Sequence, residues 1–367
     1  MKDSLQHQIA LVAAPQIGPI TAKTLVAHCG SASAVFESSA RSLLKIPGIG
    51  PVVVKSLQDP GNFQAADREM RFLDDHDIHP IFFTDTHYPA RLRQCADSPA
   101  LLFFKGSDPA LLSPLRMVAI VGTRTPTDYG RALCEEFIEQ IAVYQPVIVS
   151  GLAYGIDITA HRKATVLGLP NIGTLGHGLG AIYPHDHKST ALRMCENGGL
   201  LSEFLHHTKP DRENFPMRNR IIAGLSDALL VVETADSGGS MISAQLAHQY
   251  EREVFAFPGR VHDNRSAGCN LLIKGNRARL IESAADLAEM MGWNQDNQPR
   301  AIQTQLFPEL NAEEKNVYEI IRQQAEIPVD ALSLAASIAP GALASLILSL
   351  EFKGLVRTLP GKRYLAV

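Results

Sequence analysis

The spacing of apolar and polar residues changes twice along this chain. Residues 1 to about 70 read as short helices separated by turns, with an internal near-repeat. Ile17-Gly18-Pro19 precedes the helical TAKTL, and Ile46-Pro47-Gly48-Ile49-Gly50-Pro51 precedes VVVKSL. From about residue 79 the apolar residues gather into short continuous runs. MVAIVG (Met117–Gly122), PVIVSG (Pro146–Gly151), ALLVVE (Ala228–Glu233) and VFAFPG (Val254–Gly259) suit strands buried on both faces. HPIFFTD, ALLFFKG, NIGTLG (Asn171–Gly176) and LLSEF (Leu200–Phe204) are further strand-like runs, with helical stretches lying between. Such alternation predicts a mostly parallel sheet covered by helices on both faces and joined by right-handed crossovers.

The pattern changes again after a polar connector, WNQDNQPRAIQTQLFPELN, over residues 293–311. Glu313–Gln324 reads as one helix. Ala342–Phe352 carries Leu343, Leu346, Ile347 and Leu350 at amphipathic spacing. Leu355–Leu359 and Arg363–Val367, joined by Pro360-Gly361-Lys362, form a hairpin. Helices followed by a hairpin predict a winged helix. Its third helix offers Ser345 and Ser349 where a major-groove reader presents Arg, Lys, Asn or Gln, so a protein contact or a weak backbone role suits it better. The expected division is a helical domain over 1–72, an α/β domain over 73–292, a linker over 293–311 and a winged-helix domain over 312–367.

Composition narrows the class. At 367 residues, with 46% hydrophobic and 20% charged, the chain suits two or three globular domains rather than a disordered protein. No apolar run reaches membrane-spanning length, and the start is not a signal peptide, so a cytoplasmic protein without a membrane partner is expected. The five cysteines are scattered and never in CxxC spacing, which predicts reduced thiols and neither a zinc site nor a disulfide framework. The formal net charge of −4 means that any nucleic-acid site must gather its cations locally.

The chemistry sits at strand ends. The first strong run stops at Gly122 and continues through Thr123 and Arg124 into a helical segment, a phosphate-cradling corner without the GxGxxG or GxxxxGK[ST] spacing. Ser150-Gly151, Gly176 with Gly178, and Gly259 end other strands. In a parallel sheet these lie along one edge and describe a backbone-lined groove. Ser237-Gly238-Gly239-Ser240 precedes a helix beginning near Met241, where free amides and Ser240 suit an anion or a cap. Arg218 and Arg220 stand at another helix start, a poor place for cations unless an anion arrives there, and Phe215 just before them suits base stacking. The bland alternative packs Phe215 in the core and pairs the arginines with Asp211 or Glu213. The Gly-Ile-Gly turn at 48–50 matches a helix-hairpin-helix, but with few flanking cations a packing turn suits it better.

Taken together, GTR (122–124), SGLAYGID (150–157), LGHGLGAIYP (175–184), FPMRNRIIAGLS (215–226), SGGSMISAQLA (237–247) and GCNLLIKGNRA (268–278) resemble the DNA-processing protein A family (DprA). The resemblance implies an extended Rossmann fold that binds single-stranded DNA, a homodimer, and loading of the RecA recombinase during natural transformation. It also implies a helical domain before the Rossmann fold and a winged helix after it. It carries a DNA pocket onto Arg124, Gly151, Phe215, Arg218, Asn219 and Arg220. With the strand-end residues, the expected DNA-binding set also holds Gly122, Thr123, Ser150, Gly178, Gly238, Gly239 and Ser240. His185 joins them where relatives often carry a lysine after Tyr-Pro, and it is largely neutral at pH 7. The HDH of residues 185–187 is not taken as a metal site.

An enzyme is the competing class. Phosphoribohydrolases of the "lonely guy" type share such a core and end a GGxGTxxE turn in a catalytic glutamate. Here the turn is GGSMISAQ, and Gln245 cannot act as a carboxylate base. Asp157 reads as a helix-start cap, and there is no GxSxG. A non-enzymatic protein with no cofactor and no metal is expected.

Overall fold

The computed structural model describes residues 4–293, 310–324, 326–359 and 361–366. The chain forms two compact units, Met1–Asp286 and Leu287–Val367. Residues 294–309, most of the expected linker, lie outside the described residues, as do Pro360 and Val367.

The first unit opens with helices α1 (Leu5–Ala13), α2 (Pro19–Cys29), α3 (Ala32–Glu37), α4 (Ala40–Leu43), α5 (Pro51–Leu57) and α6 (Gly61–His76). Pro19 and Pro51 each start a helix, where the missing N–H costs nothing. Ile17, Ile46 and Ile49 turn inward and share a core with Leu11, Leu25 and Leu73. The two hairpins are thus packed from within by their isoleucines.

Next come β1 (His79–Phe82), α7 (Ala90–Arg93), β2 (Leu101–Gly106), β3 (Met117–Val121), α8 (Asp128–Ile141), β4 (Val147–Ser150), α9 (Ile156–Val166), β5 (Asn171–Thr174), α10 (Lys188–Asn197) and β6 (Gly199–Ser202). The chain continues through α11 (Asn214–Leu225), β7 (Ala228–Val231), α12 (Gly239–Gln249), β8 (Glu253–Ala256), α13 (Ala267–Lys274) and β9 (Arg279–Leu280), and α14 (Ala284–Met290) spans the division between the units. The strands build one nine-stranded sheet in the order β1-β2-β6-β5-β4-β3-β7-β8-β9. All pairings from β6 to β9 are parallel, whereas β2 runs antiparallel to both β1 and β6. The fold is therefore the mostly parallel α/β sheet that the apolar runs predict. β3, β4, β5 and β7 are buried along their whole length. Chain order reverses at β3, whose neighbours are β4 and β7, and such a switch point opens a crevice beyond the strand ends.

The second unit contains α15 (Ala312–Arg322), β10 (Ile327–Pro328), α16 (Val329–Ala336), α17 (Pro340–Phe352), β11 (Val356–Leu359) and β12 (Arg363–Ala366), with strand order β10-β12-β11. Leu343, Ile347 and Leu350 of α17 join Val317, Ile321 and Leu332 in its core. This is the winged helix. One expectation is corrected. Ser349 is not presented outward, because its hydroxyl donates to Glu314 Oε1 at 2.6 Å; Ser345 is exposed. No single helix among the described residues is long and apolar enough to cross a membrane. The bent pair α16–α17 passes by length and composition, and its apolar side packs in this core.

Candidate nucleic-acid interface

A cleft of about 670 Å³ lies at the switch point. Gly122, Thr123 and Arg124 after β3 form one border, and Thr234 and Ala235 after β7 another. The start of α12 and the first turns of α11 close the remaining walls. Arg124, Arg218 and Gly239, far apart in sequence, thus share one cavity.

Arg218 is the buried cation of this cleft, 4% exposed. Its Nη1 donates to the carbonyls of Gly151 and Thr174, and its Nε donates to Asn219 Oδ1 at 3.1 Å. Burial and then the repulsion of Arg124 pull its pKa down, opposed by Asp157, to about 10, so it stays charged at neutral pH. Asp157 accepts from the Gly151 and Ala153 amides at 3.1 and 3.4 Å. It does not cap α9 in the way its place in GID predicts: it lies inside the first turn and instead holds the loop that precedes the helix. Burial raises its pKa, against the pull of Arg218. Gly151 fits between the two: a Cβ there would lie 2.3 Å from Arg218 Nη1 and 2.6 Å from Asp157 Oδ2. Close approach, not backbone freedom, demands this glycine.

Phe215 opens α11 half-buried, its ring against Gly176, where a Cβ would come within 2.9 Å of it. The guanidinium carbons of Arg124 and Arg218 lie 5.6 and 6.0 Å from the ring centroid, and Tyr183 stands 6.2 Å away, tilted 34°. The result is an aromatic platform beside two cations. Arg124 and Arg212 are exposed at the border, and neither needs to leave a buried partner to meet a ligand.

Gly238, in a conformation reserved for glycine (φ 132°), precedes α12, and no side chain caps this helix. Gly238, Gly239 and Ser240 at this helix start line the cleft, with the positive end of the helix dipole behind them. Ser240 lines the cleft, but it does not cap the helix. Its hydroxyl bonds Thr234 Oγ1 at 2.6 Å. Asn219 Nδ2 donates to the Gly239 carbonyl at 3.1 Å, tying the start of α12 to α11.

Other expected residues lie elsewhere. Arg220 turns away from the cleft, pairs with Glu203 and donates to the Asp97 carbonyl at 2.7 Å. Neither it nor Arg218 pairs with Asp211 or Glu213 in the way the bland alternative supposes. Ser150 is fully buried, its hydroxyl donating to the Ile120 carbonyl at 2.6 Å. The Gly178 amide is spent on the Thr208 carbonyl at 3.0 Å. His185 is exposed on a short turn outside the cleft lining. His187 is buried and bonds the Leu152 carbonyl at 2.8 Å, so the two HDH histidines do not converge. Sequence reasoning passed over Tyr183 and Arg212, both in the lining. Tyr183 stood in the LGHGLGAIYP stretch, and Arg212 was masked by its acidic neighbours.

Residues 79–292 match the family described as DNA recombination-mediator protein A, and residues 302–362 match the DprA winged helix domain. The chain belongs to the DprA family. It is 42% identical over 212 residues to the DNA processing protein DprA of Bacillus subtilis, which covers 58% of this chain and 71% of that protein. The fold is similar to the X-ray structure of DprA from Streptococcus pneumoniae, with a TM-score of 0.65 and 29% identity over 78% of this chain and 98% of that one. A DprA from Helicobacter pylori, described for its single-stranded DNA binding mode, aligns with a TM-score of 0.54 and 31% identity over 59% of this chain and 96% of that one. The cleft and its cations fall inside the segment that defines the DprA family.

Proposed function

We propose that this protein binds single-stranded DNA along the cleft and delivers it to the RecA recombinase. The observation that carries the reading is the convergence of Arg124, Arg218, an uncapped helix start and Phe215 on one cavity. Cations and amides suit phosphates, and an aromatic face beside them suits a stacked base of any identity. Sequence preference is accordingly slight. Family membership and the DNA-binding description of the Helicobacter pylori relative support the same ligand. Transfer to RecA, homodimerisation and a role in natural transformation rest on the family resemblance.

The protein acts without catalysis in this reading. Asp157 is the carboxylate nearest the cleft floor, and it is occupied by the Gly151 and Ala153 amides. Gln245 stands where the phosphoribohydrolase turn carries its glutamate. Release of ribose 5-phosphate from AMP would instead establish the enzyme.

The decisive experiment titrates the full chain with labelled single- and double-stranded oligonucleotides at two salt concentrations. Preference for the single strand, weakening steeply with salt, is expected. Preference for duplex would move the binding surface to the helical hairpins or the wing.

A further inference from the structure

Away from the cleft, the carboxylate of Glu69 on α6 is almost wholly buried, at 1% exposed. Neither Lys nor Arg forms an ion pair with it among the described residues. Its partners lie in the loop after β6. The His206 backbone amide donates to both of its oxygens at 2.9 and 3.0 Å, and His206 Nδ1 lies 2.6 Å from Oε2. The buried carboxylate is therefore met only by a backbone amide and one imidazole, both from the same residue. His207, exposed and next in sequence, brings a second imidazole alongside, ring centroids 5.1 Å apart.

We propose that Glu69, His206 and His207 form a binding site for a divalent transition ion of the Zn2+ kind. Their donor atoms lie within 4.8 Å of one another. Two imidazole nitrogens and one carboxylate oxygen are a ligand set that Zn2+ accepts, with water completing the tetrahedron. Bonds of about 2.0–2.2 Å place donor atoms about 3.4 Å apart in that geometry. The Nδ1–Oε2 pair must therefore open to admit the ion while His207, exposed at the surface, swings in to complete the set. The carboxylate is already aimed, because the His206 backbone amide holds it independently of the ring. The His206 ring is held too, stacked 4.3 Å from Phe72, which stacks in turn on His76. Metal entry replaces the Nδ1–Oε2 hydrogen bond, and any proton displaced from the ligands goes to solvent.

The ion would fasten α6 to a loop that holds the glycine-rich segment beside Tyr183. The His206 carbonyl accepts from the Gly180 amide at 3.1 Å, and the Thr208 carbonyl accepts from that of Gly178 at 3.0 Å. The helical region and the border of the cleft would then share one clamp.

The test is a ZnCl2 titration of the metal-free full chain against a chromogenic chelator at pH 7.5, with thermal unfolding followed in parallel. Wild type should take up one equivalent tightly and gain several degrees in Tm when Zn2+ is in large excess over its Kd. His207→Gln, at an exposed position, should leave the metal-free Tm unchanged, weaken uptake at least ~10-fold and abolish the Tm gain. His262→Gln, also exposed, should behave as wild type. No tight equivalent in wild type, or equal uptake by His207→Gln, would overturn the site and leave a simple Glu69–His206 latch.

Discussion

At the level of single residues, the cleft divides its cations by burial. Arg124 is exposed and open to a ligand in the proposed reading, whereas Arg218 is buried and is largely consumed by the Gly151 and Thr174 carbonyls. Arg124→Ala should therefore weaken oligo-dT binding while leaving the unfolding curve unchanged. An unchanged Kd in a fluorescence-anisotropy titration would remove Arg124 from the interface. Phe215→Ala should cost about 1–3 kcal/mol of binding if its ring stacks a base. Gly151→Ala should do something different. The added methyl collides with Arg218 and Asp157, so stability should fall by about 1–3 kcal/mol in urea denaturation and DNA binding should fall with it. How far these roles could be read beforehand depends on geometry available in the sequence. Residues two apart on a helix point about 200° away from each other. Arg218 and Arg220 could not both face one cavity, and helical periodicity alone separates them. It does not say which faces inward; that is settled by Glu203, a residue that no local pattern links to Arg220.

The secondary-structure elements show a similar division. The buried strands were legible because both faces are covered, leaving unbroken apolar runs such as MVAIV and ALLV. β9 was not legible, since its two residues are both exposed. Nor did the runs disclose the antiparallel edge. Direction depends on the connection, and between β1 and β2 there is only a four-residue helix, Ala90–Arg93, too short for a crossover. In the winged helix, α15 and α17 are joined through Glu314, an ion that helical pattern placed but did not pair. Hydrogen bonds from Lys353, then Ser349 and the Asn311 amide, pull its pKa down to about 2. The unfolded value is about 4.3, so this stabilisation is complete above that pH and drains away as the pH falls toward 2. Glu314→Gln should flatten the acid limb of the unfolding transition of this unit, followed by circular dichroism between pH 5 and pH 2. An acid limb identical to wild type would show that the pairing contributes nothing.

For the molecule as a whole, the acidic total conceals a local cationic border. Net charge of −4 says little about affinity when Arg124 and Arg212 sit together beside a helix start. Binding should follow counterion release, with log K falling by about 0.7 per phosphate neutralised for each unit of log salt. Arg124→Ala should reduce that slope by about 0.7. The same slope in both proteins would mean that its guanidinium meets no phosphate. The architecture that sets this border was legible because strand ends of one parallel sheet must share an edge, whichever loops follow.

Arg124 and Arg212 are exposed at the border of the cleft, and Asn219 ties the wall beneath to the start of α12. If DNA enters the cleft across this exposed border, the strand is laid in sideways at any point of its length, with nothing to be threaded. Closed single-stranded circles should compete as well as linear strands of equal length.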